Sequence, residues 1–131
     1  MSLSNNPLTM IATLRAGSEV FHGDKKVSWS LRPGPVWATS SRTSALDYGP
    51  YVFRMALLRD ARLFVFDSYE EAAKRLGVPM HKGASRDLVA GIQKLGVDGY
   101  WYQNAQFSDQ EVMILDGPRF LTRPELTLSS R

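Results

Sequence analysis

Two clearly bounded helical segments sit in the middle of a chain whose other apolar segments are all short, and this order restricts the fold more than any other feature. The first opens at Ser68, whose hydroxyl can cap free amides while Glu71 reaches back, and closes at Gly77 with Pro79 beyond. The second begins after Ser85, sets Leu88, Ile92 and Leu95 on one face at spacings of four and three, and closes at Gly96. Around them lie runs rich in β-branched and aromatic residues: Leu8 to Leu14, Val20 to His22, Val36 to Ala38, Tyr51 to Leu58, Leu63 to Phe66, Tyr100 to Tyr102 and Val112 to Leu115. These read as strands, with Pro33-Gly34-Pro35 and Gly49-Pro50 as punctuation. A third, shorter helical piece is expected over Thr43 to Tyr48. Strands at both ends with helices between predict an α+β fold with a largely antiparallel sheet rather than a βαβ repeat.

With 131 residues, 44% hydrophobic and 22% charged, the chain reads as one domain over 1–131, without repeats, low-complexity tracts or a linker. A chain of this size hides roughly two-thirds of its unfolded surface, so its core stands without staples. Cysteine is absent, which removes disulfides, thiolate zinc sites and cysteine nucleophiles together and fits a reducing compartment. The two histidines, His22 and His81, lie far apart, so no metal centre is expected. No run approaches the ~20 apolar residues that span a bilayer, and Leu8 to Leu14 has no basic lead-in; a soluble chain without an export signal is expected. The net charge of +3 is too small to specify a nucleic acid. Residues 1–62 hold eight basic and four acidic side chains, and residues 63–131 hold eight and nine. The basic half either faces an anionic ligand or is plain solvated surface.

Several chemistries lack their spacing here: there is no GxxxxGK, GxGxxG, HExxH or GxSxG. Three segments remain. In Val20-Phe21-His22-Gly23 a strand-like run presents an imidazole beside bare backbone, which suits a hydroxyl and a planar group, or is simply a strand end before a turn. From Val36 to Gly49 a strand carries Trp37, and a short helix delivers Tyr48; the two rings can sandwich a flat ligand, or both belong to the core. In Asp109-Gln110-Glu111-Val112-Met113-Ile114-Leu115-Asp116, Glu111 opens an apolar strand, either facing a cleft or solvated at a sheet edge.

In this order the three segments resemble the ADP-ribosyltransferase superfamily, in the branch typified by diphtheria toxin and the poly(ADP-ribose) polymerases. His22-Gly23-Asp24 is similar to that branch's His-Gly-Thr or His-Gly-Ser, and Trp37-Ala38 with Ser44-Ala45-Leu46-Asp47-Tyr48 to its aromatic strand and Ser-Ala-x-x-Tyr helix. Glu111 to Asp116 is similar to its glutamate strand, and Leu95-Gly96-Val97-Asp98-Gly99-Tyr100 to the Gly-x-Asp-Gly turn of small bacterial and phage members. The resemblance covers most of residues 18–120. It implies a split antiparallel sheet core with two or three short helices, and an enzyme that cleaves NAD, transferring ADP-ribose to an unknown protein or nucleic-acid acceptor or to water. The implied catalytic residues are Glu111, His22 and Tyr48. His22 would hold the adenosine ribose, Gly23 the nicotinamide carboxamide, Trp37 and Tyr48 the nicotinamide ring, and Ser44 would join them in binding NAD. Such members are toxin-like effectors, acting in a cytoplasm or delivered into that of a host cell. The chain departs from the pattern at Asp24, which replaces the small hydroxyl residue, and at Val36 or Trp37, where many members carry a tyrosine. Asp109, two residues before Glu111, resembles the Glu-x-Glu of the arginine-modifying branch, to which Arg15 and Thr39-Ser40 can be recruited. Alternative readings are an inactive binding module on the same fold and an RNA 2′-phosphotransferase-like enzyme.

Overall fold

A computed structural model of the chain describes residues 10–79, 84–104 and 109–127. Its strands are β1 (Ile11–Leu14), β2 (Glu19–Asp24), β3 (Val36–Thr39), β4 (Tyr51–Ala56), β5 (Ala61–Phe66), β6 (Gly99–Asn104), β7 (Asp109–Ile114) and β8 (Glu125–Leu126). The helices are α1 (Arg42–Ala45), running into a 3-10 turn over Leu46–Tyr48, then α2 (Tyr69–Leu76), α3 (Ala84–Leu95) and α4 (Gly117–Phe120). The fold is α+β. Among the described residues four α-helices stand where two or three were expected, and the Thr43 to Tyr48 helix begins one residue earlier and tightens midway.

The sequence reasons for α2 hold at both ends. Ser68 Oγ accepts from the Glu71 amide at 3.3 Å, satisfying a donor that has no partner within the helix, and Gly77 closes the last turn in the left-handed conformation, φ 69°. In α3, Leu88 and Ile92 are fully buried, each worth roughly 1.5–3 kcal/mol of apolar transfer. Alternation along the strands then sorts the core into two faces. Leu63, Val112 and Ile114 pack with Val20, Met55 and Phe120 on one side; Phe64, Phe66, Tyr100 and Met113 pack under α2 and α3 on the other.

The sheet order is β1-β5-β6-β7-β3-β2-β4-β8. Among the described residues every pairing is antiparallel except β5 with β6, so the sheet is mixed but, as expected, largely antiparallel. The cause is the pair α2 and α3: a crossover through helices on one face returns the chain to the starting end of β5, and a strand laid down from there runs parallel to it. The Gly96 to Tyr100 turn is stitched at this return, where Asp98 Oδ2 accepts from the Arg62 amide at 2.8 Å. A second departure from regularity positions the site. β2 and β3 pair at a single position, Phe21 opposite Thr39, while β2 pairs with β4 over six positions and β3 with β7 over four. Beyond that one rung the two strands part. No helix among the described residues is long and apolar enough to cross a membrane.

Candidate active site where two strands part

Where β2 leaves β3, the carbonyl of Trp37 is taken by a side chain: His22 Nδ1–H donates to it at 2.9 Å. The same ring stacks on Trp29, centroids 3.9 Å apart and planes 19° apart, and its Nε2 lies 3.2 Å from Asp24 Oδ1. The other Asp24 oxygen accepts from the Lys26 amide at 2.9 Å. Burial opposes ionisation of Asp24, but the Lys26 amide and the bond to and charge of His22 outweigh it and hold this carboxyl below its ordinary value. His22 is thus satisfied within the chain, as the structural reading of this motif expects, and it also lines a cavity.

That cavity, of about 250 Å³, opens in the gap between β2 and β3 and is walled by His22, Gly23, Trp37, Thr39, Tyr48, Ser85 and Glu111. The three segments singled out in the sequence therefore meet at one place. Its volume lies below the roughly 300 Å³ at which drug-sized pockets begin, so it suits one ring rather than a whole dinucleotide. A second cavity of about 460 Å³ shares the His22 and Trp37 wall and adds Asp24, Lys26, Trp29 and Arg32.

Glu111 lies on β7, between β6 and β3, so the solvated-edge reading fails. It shares the face of Met113 beneath the helices, and both carboxylate oxygens accept from phenols. Tyr100 Oη donates to Oε2 at 2.6 Å, and Tyr69 Oη donates to Oε1. Tyr69 is the first residue after the Ser68 cap; its ring stacks on Tyr102 at 4.4 Å, which aims the hydroxyl at the carboxylate. The indole N–H of Trp37 donates to Tyr100 Oη at 3.0 Å, so a bonded chain runs from the cavity wall to Glu111. Burial first, then the charge and bonds of Glu111, push the pKa of both phenols far above the ordinary tyrosine range. They stay protonated and so remain donors to Glu111. Each carboxylate oxygen keeps a second lone pair for a ligand hydroxyl.

Trp37 packs against the core under the helices and also walls the cavity. Tyr48 is 54% exposed at the rim. Gly23 lines the cavity, and a Cβ there would collide with the carbonyl of Ala45, so α1 can pack on β2 only if residue 23 has no side chain. Ser44 is corrected. Its amide donates to the Ser41 hydroxyl at 3.0 Å and its own hydroxyl accepts from it at 3.1 Å, so it completes the cap of α1 and is not part of the lining. Arg15 is exposed and outside the cavity, whereas Thr39 lines it. His81 lies outside the described residues. Among the described residues no three His, Asp or Glu side chains come together as a metal site.

Sequence reasoning missed Tyr69 and Tyr100. Tyr100 and Tyr102 alternate onto one face of β6, and in the register that sets Tyr102 opposite Glu111 they flank it; assigning that hairpin was the available signal. Tyr69 had none, since its approach depends on the α2–α3 crossover. Set against protein-family models, curated proteins and solved structures, the chain matches none.

Proposed function

We propose that this chain is a NAD-dependent mono-ADP-ribosyltransferase, or an NAD glycohydrolase where water is the acceptor, built on an ADP-ribosyltransferase-like fold. The observation that supports this most is convergence: His22, Gly23, Trp37, Tyr48 and Glu111, drawn from three separate segments, wall one cavity. In this reading the nicotinamide ring lies between Trp37 and Tyr48, and Glu111 accepts from the 2′-hydroxyl of the neighbouring ribose. The bond that breaks joins the ribose C1′ to a cationic ring nitrogen. Its electron pair goes to the ring, nicotinamide leaves neutral, and positive charge develops on the sugar. A fixed carboxylate stabilises that charge, while stacking and hydrogen bonds hold the geometry, so no protein nucleophile is required. The acceptor oxygen or nitrogen then bonds to C1′ and loses its proton.

The test is release of labelled nicotinamide from NAD by the purified protein, with and without crude lysate, beside Glu111→Gln. Release that falls by about a hundredfold to a thousandfold in the variant is expected, the typical cost of one such electrostatic contact. Stimulation by lysate would identify a transferase. Unchanged release in a folded Glu111→Gln protein sinks the mechanism, and no release by the wild type favours the binding module.

A further inference from the structure

The second cavity begins at the His22–Asp24 pair, and its chemistry differs from that of the first. Asp24 Oδ2 is fixed by the Lys26 amide at 2.9 Å, which leaves Oδ1 aimed at His22 Nε2, 3.2 Å away. The carboxylate is therefore oriented by backbone, and both groups line the cavity together with Lys26 and Arg32. Both ring nitrogens of His22 are engaged, by the Trp37 carbonyl and by Asp24, so what stays open is the remaining lone pairs of the Asp24 carboxylate, which only accepts. The two hydroxyls of a sugar diol donate to it at once, whereas a phosphate ester at the same position supplies no proton and a like charge. Acidic residues discriminate ribose hydroxyls from ribose 2′-phosphate in this way in dinucleotide-binding folds.

We propose that Asp24, steadied by His22, is a specificity-determining residue that accepts from the unsubstituted adenosine ribose of NAD and rejects the 2′-phosphate of NADP. This rests on the NAD reading above. It turns the departure from the His-Gly-Thr pattern into a selection element, achieved through repulsion of the wrong ligand as much as attraction of the right one. Removing the carboxylate leaves the cations Lys26 and Arg32 in the cavity lining, so preference should move toward the phosphorylated ligand.

The experiment is calorimetric binding of ADP-ribose and of 2′-phospho-ADP-ribose to the full chain, for wild type, Asp24→Ser and Asp24→Asn, with folding checked by circular dichroism. Wild type should prefer ADP-ribose by about a hundredfold, and each variant should shrink that ratio by at least about tenfold. The ratio cancels any loss of folded protein common to both ligands. Asp24→Asn, which keeps the size and one acceptor oxygen, carries the test if the serine variant folds poorly. Equal affinity of wild type for the two ligands overturns the proposal and leaves the NAD reading standing. A wild-type preference that survives in both variants also overturns it, since the selection then arises elsewhere. Binding of neither ligand to wild type overturns the NAD reading and this proposal with it.

Discussion

The two polar arms of the cavity are made by different means. Glu111 is held by side chains from other elements, Tyr69 at the start of α2 and Tyr100 on β6, and Tyr100 is completely buried. His22 is held by a backbone carbonyl, by Asp24 two residues on, and by the Trp29 ring. The first arm is a buried network in which each removal orphans a partner; the second is a local, partly exposed assembly in which each removal costs little. One arm is therefore rigid, and the other tolerates substitution more readily.

The sharpest way to break this contrast is kinetic. Glu111→Gln should lower kcat for nicotinamide release about a hundredfold to a thousandfold, whereas His22→Ala should raise KM more than it lowers kcat. Equal loss of kcat in the two variants would erase the distinction. Next in size is Tyr100→Phe, which strands both the Trp37 indole N–H and Glu111 Oε2; urea titration should find about 2 to 3 kcal/mol of lost stability. Tyr69→Phe orphans one oxygen at a half-buried site and should cost about 1 kcal/mol by the same measurement. A cost for Tyr69→Phe matching that of Tyr100→Phe would mean that the indole bond contributes nothing.

The smallest effects are the most diagnostic, because the arms titrate in opposite directions. The phenols are more weakly acidic folded than unfolded, so their contribution is complete below the ordinary tyrosine value of 10.0 and fades as pH rises past it. Asp24 is more strongly acidic folded than unfolded, so its contribution is complete above the ordinary 3.8 and fades as pH falls below it. Unfolding midpoints across pH should decline at both extremes. Tyr69→Phe should flatten the alkaline decline alone, and Asp24→Asn the acid decline alone.

What the sequence revealed follows the range of the interactions involved. Ser68, Gly77, and the Leu88, Ile92 and Leu95 stripe act within a turn or two of helix, and the elements they announce are present. The α4 turn and the two-residue β8 are too short for periodicity to register. The parallel pairing of β5 with β6 is a relation between strands separated by two helices, and nothing local encodes it. The same holds inside the site. Glu111, Trp37 and His22 were readable as residue types in strand contexts, but the phenols that grip Glu111 arrive through that non-local crossover. Gly23 and Ser44 were readable as positions, but their packing on α1 and their part in its cap were not.

Gly23 and Gly99 make a pair with a practical lesson for saturation mutagenesis. A methyl group at either would strike a main-chain carbonyl, that of Ala45 at 23 and that of Met113 at 99, so both columns of a tolerance map should come out blank. Only Gly23 borders the cavity, and Gly99 does not. Two positions with identical intolerance thus differ entirely in their bearing on chemistry, and a dead Gly23→Ala clone would report a displaced helix rather than a lost ligand contact. In this protein the informative columns are those where substitution spares the backbone: Asp24, Tyr48, Tyr69 and Glu111.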